Sequence, residues 1–340
     1  MAWYHTPGKE QDVVISTRVR FARNISDIPF VSRMDAAAAA SLMEQLDPIL
    51  EGGGFVKTDF QDVSRAQAYS FLEKHYVSPN FIKVSLPHAL YLNEPCNLSV
   101  MLCEEDHLRL QCILPGLALT EALESAQRVD ELLDKHFDFA YDKEERWGYL
   151  THCPTNLGTA MRASVMMFLP ALTSAGQMDE LSVQLSQGGI TVRGFWGEGT
   201  GAVGYLYQIS NRVTLGLTEG EIIDGLSEAV RAICEQERKL RASIKGEALD
   251  ALTDRTWRSL GLLKYARTLP LKEFVSLLSD IRLGTAMGIL KEPHVHDLTA
   301  LFIDAMPATL ALATNISRAS DRELNFARGV LARERLKEIP

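Results

Sequence analysis

The feature of this 340-residue chain that most constrains its fold is a change of periodicity near residue 217. Before that point, helical runs alternate with short apolar segments typical of strands, and after it only helical runs follow. Helices interleaved with a meander of strands favour an antiparallel sheet with helices packed on it. We therefore predict an α+β fold. A domain of that class should span residues 1–240, and a helical domain should span residues 241–340, beyond a boundary in the charge-rich segment 239–245.

Several helices are predicted to begin at residues that favour a first turn. The predicted starts are Asp35, Ser64 with Gln67, Thr120, Thr218 with Glu221, and Pro270. Thr155 or Asn156 is predicted to cap another helix, which would run to Leu169. The segment from Leu181 to Leu217 is interpreted as four strands joined by turns.

Composition and charge exclude several classes of protein. Hydrophobic residues make up 46% of the chain, and no apolar run approaches the roughly 18–20 residues of a membrane helix. The N-terminus lacks the features of a signal peptide, so a cytoplasmic protein is expected. Because the net charge is −9, nucleic acid would be repelled unless a dedicated basic patch were present. The five cysteines are an odd number without CxxC spacing, which argues against a zinc site or a disulfide framework.

One glycine-rich motif, Gly199–Gly204, has the GxGxxG spacing of a dinucleotide-binding loop. That loop should open a helix, whereas the following residues 205–209 have the composition of a strand. A glycine-rich loop between strands would suit a eukaryotic-type protein kinase, but the chain contains neither HRD nor DFG. It also lacks the GxxxxGKS or GxxxxGKT motif of a P-loop. The motif therefore identifies none of these three nucleotide sites.

Five arginines occupy positions where a protein core would not place them. Arg18 and Arg20 lie on one face of an extended segment, and Arg109 lies on the polar face of an alternating strand. Arg162 is expected in the first turns of a helix, and Arg193 directly follows a predicted strand. From spacing alone, the simpler interpretation is five solvated surface arginines. If they converge, they form a pocket able to neutralise a triphosphate without a P-loop.

These arginines fall within five motifs that follow one another in order. The motifs are ISTRVR (15–20), EEDHLR (104–109), CPTNLG (153–158), RASV (162–165) and RGxxGE (193–198). This set resembles the ordered motifs of the phosphagen (guanidino) kinase superfamily, which includes creatine kinase and arginine kinase. The resemblance implies a phosphagen-kinase-like catalytic domain that transfers a phosphoryl group from ATP to a guanidinium group.

Two departures point to one branch of that superfamily. Only 15 residues precede Ser16, so the helical N-terminal domain of the metabolite kinases is not expected, and a mostly helical region follows the catalytic part. Both features are similar to the bacterial protein-arginine kinases. The implied function is ATP-dependent phosphorylation of arginine side chains in proteins, in stress response and protein quality control. The alternatives are a kinase of a small guanidino metabolite and an inactive adaptor that binds phosphoarginine.

The resemblance also implies a set of nucleotide-binding residues. The five arginines match those that clamp the ATP phosphates, His75 matches a nucleotide-contacting histidine, and Met166 replaces an adenine-stacking histidine of the metabolite kinases. The implied ATP-binding residues are Ser16, Thr17, Arg18, Val19, Arg20, His75, Arg109, Arg162, Ala163, Ser164, Val165, Met166, Arg193, Gly194, Phe195, Trp196, Gly197 and Glu198. Mg²⁺ would be bound through the phosphates of the nucleotide, and no separate metal site of protein ligands is expected.

Three residues are implied at the guanidinium end of the site. Glu105 and Glu198 match the two carboxylates that grip the guanidinium, and Cys153 matches the reactive cysteine beside it. A guanidinium has a pKa above about 12 and is a poor nucleophile, so a base must align one N–H and accept its proton. We assign this role to Glu105, with Glu198 on the other edge of the guanidinium. Cys153, near the N-terminus of a predicted helix, would add a third negative contact.

The resemblance further implies partners and a regulatory site. The expected partners are protein substrates with exposed arginines, a Clp-type ATPase–protease system, a heat-shock repressor and a zinc-binding activator protein. A homodimer is also considered. The protein-arginine kinases carry a C-terminal RDxxRA motif that binds phosphoarginine, and it aligns here with Leu324–Gly329, where only Arg328 is retained. We therefore expect that free phosphoarginine does not change the activity of this chain and that Arg328 alone does not form an allosteric site.

Overall fold

A central antiparallel sheet organises the chain. The computed structural model describes residues 2–144, 146–194, 203–316 and 319–339. Within these residues the sheet has eight strands in the order β2-β3-β4-β5-β1-β6-β8-β7. The strands are β1 Val14–Arg23, β2 Phe55–Asp59, β3 Ala89–Asn93, β4 Leu98–Leu102, β5 Leu108–Pro115, β6 Met161–Phe168, β7 Ile190–Gly194 and β8 Leu206–Asn211. Each neighbouring pair is antiparallel, so the predicted α+β class is confirmed.

Helices surround the sheet and make up the C-terminal region. They are α1 Ala36–Gly52, α2 Arg65–Glu73, α3 Leu119–Asp134, α4 Pro170–Ser174, α5 Met178–Gln187, α6 Glu219–Ser243, α7 Glu247–Tyr265, α8 Leu271–Ala286, α9 Val295–Asp304, α10 Pro307–Ala313 and α11 Asp321–Leu336. The predicted cap of α1 is confirmed, because Asp35 accepts a hydrogen bond from the Ala38 N–H at 2.8 Å. The capping boxes that begin at Ser64 and Thr218 are also present. Local hydrogen-bonding residues thus set these helix starts.

The predicted cap at Thr120 is wrong. Helix α3 begins two residues earlier than predicted, at Leu119, and its N-cap residue, Ala118, has no side-chain capping bond. The Ala118 N–H instead donates to the hydroxyl of Thr17 on β1, at 3.1 Å. A tertiary contact with the sheet therefore fixes where this helix starts, and no local pattern records that contact.

The helix predicted from Asn156 to Leu169 is also wrong. Residues Pro154–Asn156 form a single 3-10 turn, and the chain then enters strand β6. The RASVMM sequence is rich in residues that favour helices, but β6 lies between β1 and β8 in the centre of the sheet. Alternate residues, among them Ala163 and Val165, are fully buried. Pairing on both sides of β6 overrides the local helix propensity.

Two of the four strands predicted between Leu181 and Leu217 are absent. Residues Met178–Gln187 form helix α5, and β7 and β8 are the only strands that the described residues of this segment form. The side-chain amide of Asn211 donates to the carbonyls of Met161 and Val213, at 3.1 and 3.0 Å. These bonds turn the chain away from the sheet at the end of β8.

The two faces of the sheet have different environments. One face packs against α1, α3 and α6 through the largest apolar core, which includes Val19, Phe21 and Val165. The opposite face packs against the C-terminal helices at one end, through Phe168, Leu206 and residues of α7 and α8. Leu90 and Met101 on this second face pack in another apolar cluster with Phe60 and Phe81, and other side chains of the face line a cleft. The sheet thus separates a conventional core from the candidate site.

The C-terminal helices form an apolar core of their own, which includes Phe274 and Ile281 of α8 and Leu336 of α11. The predicted domain division at residues 240 and 241 falls in the last turn of α6 and stays a prediction. Among the described residues, no single helix has the length and apolar composition to cross a membrane. Among these residues, α9 and α10 meet the criteria of length and apolar composition only when they are taken together, and the bend between the two helices is 80°.

Candidate active site

A cleft of about 850 Å³ opens on the second face of the sheet. It brings together residues that are up to 291 positions apart in the sequence, from Ser16 to Pro307. The sequence-predicted residues that line it are Ser16, Arg18, Arg20, His75, Glu105, Arg109, Cys153, Arg162, Ser164, Met166, Arg193 and Gly194. The five arginines therefore converge on one cavity, and the interpretation as separate surface arginines is wrong.

Strand register explains why the arginines converge. Side chains alternate between the two faces of a strand, so Arg18 and Arg20 point to the same side of β1. Arg20 lies directly opposite Arg162 on the neighbouring strand β6, and Arg109 of β5 pairs with Ala22. Arg193 reaches the cleft from β7 at the sheet edge. Three central strands and one edge strand thus present guanidinium groups to a shared space.

Burial and the neighbouring positive charges lower the pKa values of several of these guanidinium groups. Burial, and then the charges of Arg109 and Arg162, lower the pKa of Arg18 to about 10. Burial and the neighbouring arginines also hold the pKa of Arg20 well below its usual range. The Nε atoms of Arg20 and Arg162 are buried and have no hydrogen-bond partner among the described residues. Like charges held this close, with unused donors, favour a polyanionic ligand.

The Glu104-Glu105-Asp106 turn lines the cleft next to Arg109. Glu104 accepts two hydrogen bonds from Nη1 of Arg109, at 2.9 and 2.7 Å, and a short one from the Ser78 hydroxyl. Asp106 is buried and accepts from the side-chain amide of Asn24 and from the backbone of His152, at 2.6 and 2.7 Å. Two of the three carboxylates therefore have structural partners, which leaves Glu105 as the one with a side chain available to a ligand in the cleft.

The electrostatic environment distinguishes Glu104 from Glu105. Burial would raise the pKa of Glu104, but the charge of Arg109 and the hydrogen bonds from Ser78 and Arg109 hold it below its ordinary value. Burial, and then the carboxylates of Asp106 and Glu104, raise the pKa of Glu105. A carboxylate with a raised pKa accepts a proton more readily, which suits a general base. Sequence reasoning missed the role of Glu104, although its spacing of five residues from Arg109 across a turn is the signal that could have shown it.

Cys153 lies beside this acidic turn at the mouth of the cleft. Its sulfur is partly exposed and lies 3.0 Å from the hydroxyl of Thr155. The helix expected to begin near it is only a three-residue 3-10 turn. The argument that a helix N-terminus stabilises a Cys153 thiolate is therefore wrong, because so short a turn has little dipole to offer.

The far end of the cleft is less polar. His75 follows α2 in a left-handed backbone conformation, and burial, together with the charge of Arg18, lowers its pKa to about 3. The imidazole is therefore neutral at physiological pH. Met166 lies opposite Ser16 on one side and Gln208 on the other. A neutral ring and a thioether form a surface suited to an uncharged heterocycle.

Some residues of the implied nucleotide-binding stretches face the opposite side of the sheet. They are Thr17, Val19, Ala163 and Val165, whose side chains lie in the core rather than in the cleft. The Thr17 hydroxyl, for example, donates to the carbonyl of Gly116 at 2.7 Å. Four further members, Phe195, Trp196, Gly197 and Glu198, lie outside the described residues. The nucleotide roles of these eight, like the roles of the ten residues that line the cleft, stay predictions.

The side chain of Arg328 is buried and is not available to bind a ligand. It is 1% exposed, and its guanidinium donates to the carbonyls of Ala305 and Leu269, at 3.0 and 2.8 Å, and to the side chain of Asn325, at 3.0 Å. These bonds join α11 to the ends of two other segments. The arginine retained from the aligned RDxxRA motif therefore holds helices together inside the protein.

We expect Arg328→Ala to lower the free energy of unfolding by about 2–4 kcal/mol, because it leaves two buried carbonyls without donors. Free phosphoarginine should leave the activity of both proteins unchanged. Chemical denaturation and an activity titration measure the two effects. Arg322→Ala, on the exposed side of the same helix, is the matched control and should lose little stability. A saturable response to phosphoarginine that disappears in Arg328→Ala would show that an allosteric site survives.

Comparison with known proteins identifies the family. The family model described as ATP:guanido phosphotransferase, C-terminal catalytic domain, matches residues 44–240, and the Protein-arginine kinase McsB C-terminal domain matches residues 249–340. The protein-arginine kinase of Desulforamulus reducens is 40% identical, over 99% of this chain and 96% of the relative. That of Bacillus subtilis is 38% identical, over 98% of this chain and 93% of the relative.

Solved structures agree on the fold of the catalytic part. The substrate-free duplicated taurocyamine kinase from Schistosoma mansoni superposes with a TM-score of 0.61 at 25% identity, covering 79% of this chain, which spans only 40% of that duplicated protein. Lombricine kinase, at 22% identity, superposes with a TM-score of 0.61 over 70% of this chain and 69% of its own, which supports the fold alone. With catalytic and C-terminal family models in sequence and full-length relatives at about 40% identity, the chain belongs to the protein-arginine kinases, a family of ATP:guanido phosphotransferases.

Proposed function

We propose that this chain transfers the γ-phosphoryl group of ATP to arginine side chains of proteins, and that the cleft on the second face of the sheet is where it does so. The observation that carries this proposal is the division of one cavity into a wall of five arginines and an acidic turn with one available carboxylate. The first suits a triphosphate and the second suits a guanidinium. A kinase needs both in a single enclosed space, because phosphoryl transfer depends mainly on positioning and charge neutralisation.

The arginine wall would bind the phosphates of ATP. Arg20 and Arg162 are paired across two strands, so a phosphate between them removes their mutual repulsion and uses their free donors. Among the described residues, no group of three or more His, Cys, Asp or Glu side chains is arranged to hold a metal ion. Mg²⁺ is proposed to reach the cleft on the phosphates of the nucleotide. When bound there, it would neutralise part of the phosphate charge.

The acidic turn would prepare the guanidinium for attack. One guanidinium nitrogen forms a bond to the γ-phosphorus while the bond from that phosphorus to the bridging oxygen of ADP breaks. The proton of the attacking nitrogen passes to a carboxylate oxygen of Glu105, whose raised pKa favours its acceptance. Glu198, outside the described residues, is proposed to hold the other edge of the guanidinium. Cys153, at the mouth of the cleft, is proposed to contact the same group.

Two other functions had been left open by the sequence. The inactive adaptor is disfavoured because the described catalytic candidates, Glu105 and the five arginines, all line the cleft. The metabolite kinase requires a pocket closed around a small molecule. Here the guanidinium end reaches the partly exposed Cys153 and the exposed Thr155, so an arginine attached to a polypeptide could enter.

The wider setting is proposed from the family alone. We expect a cytoplasmic enzyme in stress response and protein quality control, with a Clp-type ATPase–protease system, a heat-shock repressor and a zinc-binding activator protein as partners. A homodimer is a further proposal. Affinity capture of the tagged chain from stressed cells, with identification of the bound proteins, tests these partners directly.

The central test is chemical. The purified protein is incubated with Mg-ATP and an unfolded protein, and phosphoarginine is sought by mass spectrometry under conditions that preserve the acid-labile N–P bond. Modification of arginine that depends on ATP supports the proposal. Modification of serine or threonine only, or of no residue, contradicts it.

Substrate form provides a quantitative prediction. We expect kcat/KM for an arginine within a flexible peptide to exceed that for free arginine or creatine by about tenfold or more, because only the peptide has flanking residues that contribute binding energy. Initial rates with both kinds of substrate at saturating ATP measure the ratio. A larger kcat/KM for the free metabolite would favour the metabolite kinase instead.

A further inference from the structure

Exposed apolar side chains are concentrated in one region near the mouth of the cleft. Tyr141 and Trp147 are each 46% exposed, and three aliphatic side chains, Val213, Leu215 and Leu217, are each 40–41% exposed. Single exposed apolar residues are ordinary on protein surfaces, but contiguous groups mark binding surfaces. Whether these five residues form one surface depends on how the chain segments that carry them are joined.

Backbone contacts join these segments side by side. The Asp142 N–H donates to the carbonyl of Gly148 at 2.9 Å, which brings the segments of Tyr141 and Trp147 together. The Gly158 N–H donates to the carbonyl of Trp147 at 2.7 Å, and the Thr159 N–H donates to the carbonyl of Thr214 at 3.2 Å. Residues 140–142, 147–149, 157–159 and 213–217 are therefore joined side by side, and we name this group of segments the rim strip.

Glycines allow these segments to approach closely. A Cβ atom added to Gly148 would lie 2.4 Å from the carbonyl oxygen of Gly158, and one added to Gly158 would lie 2.3 Å from that of Thr214. Both glycines also have positive φ angles. In addition, the Trp147 N–H donates to the carboxylate of Asp142 at 3.1 Å, so the backbone of Trp147 is held on both sides. The rim strip is thus a preformed surface.

The rim strip continues into the guanidinium end of the cleft. Thr155 and Asn156, which line the cleft, lead directly into residues 157–159. The Thr214 hydroxyl also donates to the carbonyl of Thr155 at 3.1 Å. On the cleft side, the backbone of His152 donates to Asp106, next to Glu105. An arginine bound at Glu105 and Cys153 would therefore have its polypeptide backbone at or near this strip.

We propose that the rim strip binds apolar side chains next to the target arginine in an extended polypeptide. This inference rests on the proposed function, since it concerns the same substrate. An extended chain presents residues on both sides of its arginine to the strip, whereas a folded protein buries most of its large apolar side chains. One apolar side chain buried in such a surface is worth about tenfold in affinity.

The test uses two peptides that are identical except beside their single arginine, with leucines in one and serines in the other. For the natural protein, we expect kcat/KM to favour the leucine peptide by about tenfold. Trp147→Ser and Leu215→Ser should reduce this preference to less than about threefold by raising KM, with kcat and turnover of free arginine unchanged. Val183→Ser, at a still more exposed apolar position on α5, is the control and should keep the full preference.

Each result decides the inference. Equal kcat/KM values for the two peptides with the natural protein, or a preference that both rim variants retain, would overturn it. An equal loss of kcat/KM for both peptides in both variants would also overturn it. If the natural protein phosphorylates the peptides without preference, the proposed function stands and only this inference fails. If neither peptide acquires phosphoarginine, the proposed function fails and the inference fails with it.

Discussion

Glu105→Gln is expected to lower kcat for arginine phosphorylation at least about 100-fold, while the affinity for ATP changes less than about threefold. The amide keeps the size of the side chain but cannot accept the proton of the attacking nitrogen. It also removes one negative charge that faces the substrate guanidinium. The arginine wall is untouched, so nucleotide binding should survive. Steady-state kinetics with a peptide substrate and calorimetry with a non-hydrolysable ATP analogue measure the two quantities separately.

The pH dependence provides a second measure of the same role. Burial and the neighbouring carboxylates raise the pKa of Glu105, and a base acts only in its ionised form. The activity of the natural protein should therefore fall as the pH is lowered through this raised pKa, above the range of an ordinary glutamate. The residual activity of Glu105→Gln should lack that step.

Glu131→Gln is the control for this experiment, since Glu131 is an exposed carboxylate on α3. It should change neither kcat nor ATP affinity. Retention of more than about a tenth of the natural rate in Glu105→Gln would remove Glu105 from the role of base. Loss of ATP binding in the same variant would instead place Glu105 in the nucleotide site.

The elements predicted correctly from the sequence are those that depend on interactions between residues close together in the chain. The α1 cap at Asp35 and the capping boxes at Ser64 and Thr218 depend on side chains three residues apart, which a sequence displays directly. Strand β6 was not predicted because it depends on contacts with distant parts of the chain. Its residues favour a helix, and only pairing with β1 and β8 makes them a strand.

The candidate site shows the same division. Motifs supplied the residue types, and alternation along β1 predicted that Arg18 and Arg20 share a face. That Arg20 lies opposite Arg162 follows from register between strands 142 residues apart, which no local pattern contains. The hydrogen bond from Ser78 to Glu104 likewise depends on a loop brought in from another part of the chain, whereas the bond from Arg109 to Glu104 joins residues only five positions apart. Sequence thus identified the chemistry, while the arrangement required the fold.

Arg20→Met is expected to weaken ATP binding by about 10- to 100-fold and, without ATP, to raise the Tm. The first effect follows because a charge-assisted hydrogen bond contributes about 1.5–3 kcal/mol. The second follows from the surroundings of Arg20 in the empty cleft. Its pKa is depressed by burial and by the charges of Arg18, Arg109 and Arg162, and its Nε atom lacks a partner among the described residues. Methionine fills similar space without a charge.

The opposite signs of these two effects are what make the experiment decisive. Replacing a residue that stabilises the fold lowers the stability of the protein. Replacing a residue that serves to bind a polyanionic ligand relieves repulsion between like charges, but the protein then binds the ligand more weakly. Differential scanning calorimetry with and without an ATP analogue measures both, and the shift in Tm caused by the analogue should shrink in Arg20→Met. Arg33→Met, at an exposed position away from the sheet, is the control and should change neither value. A lower Tm combined with unchanged ATP affinity in Arg20→Met would contradict this prediction. It would show that Arg20 stabilises the sheet, and that only the other four arginines of the cleft bind the phosphates.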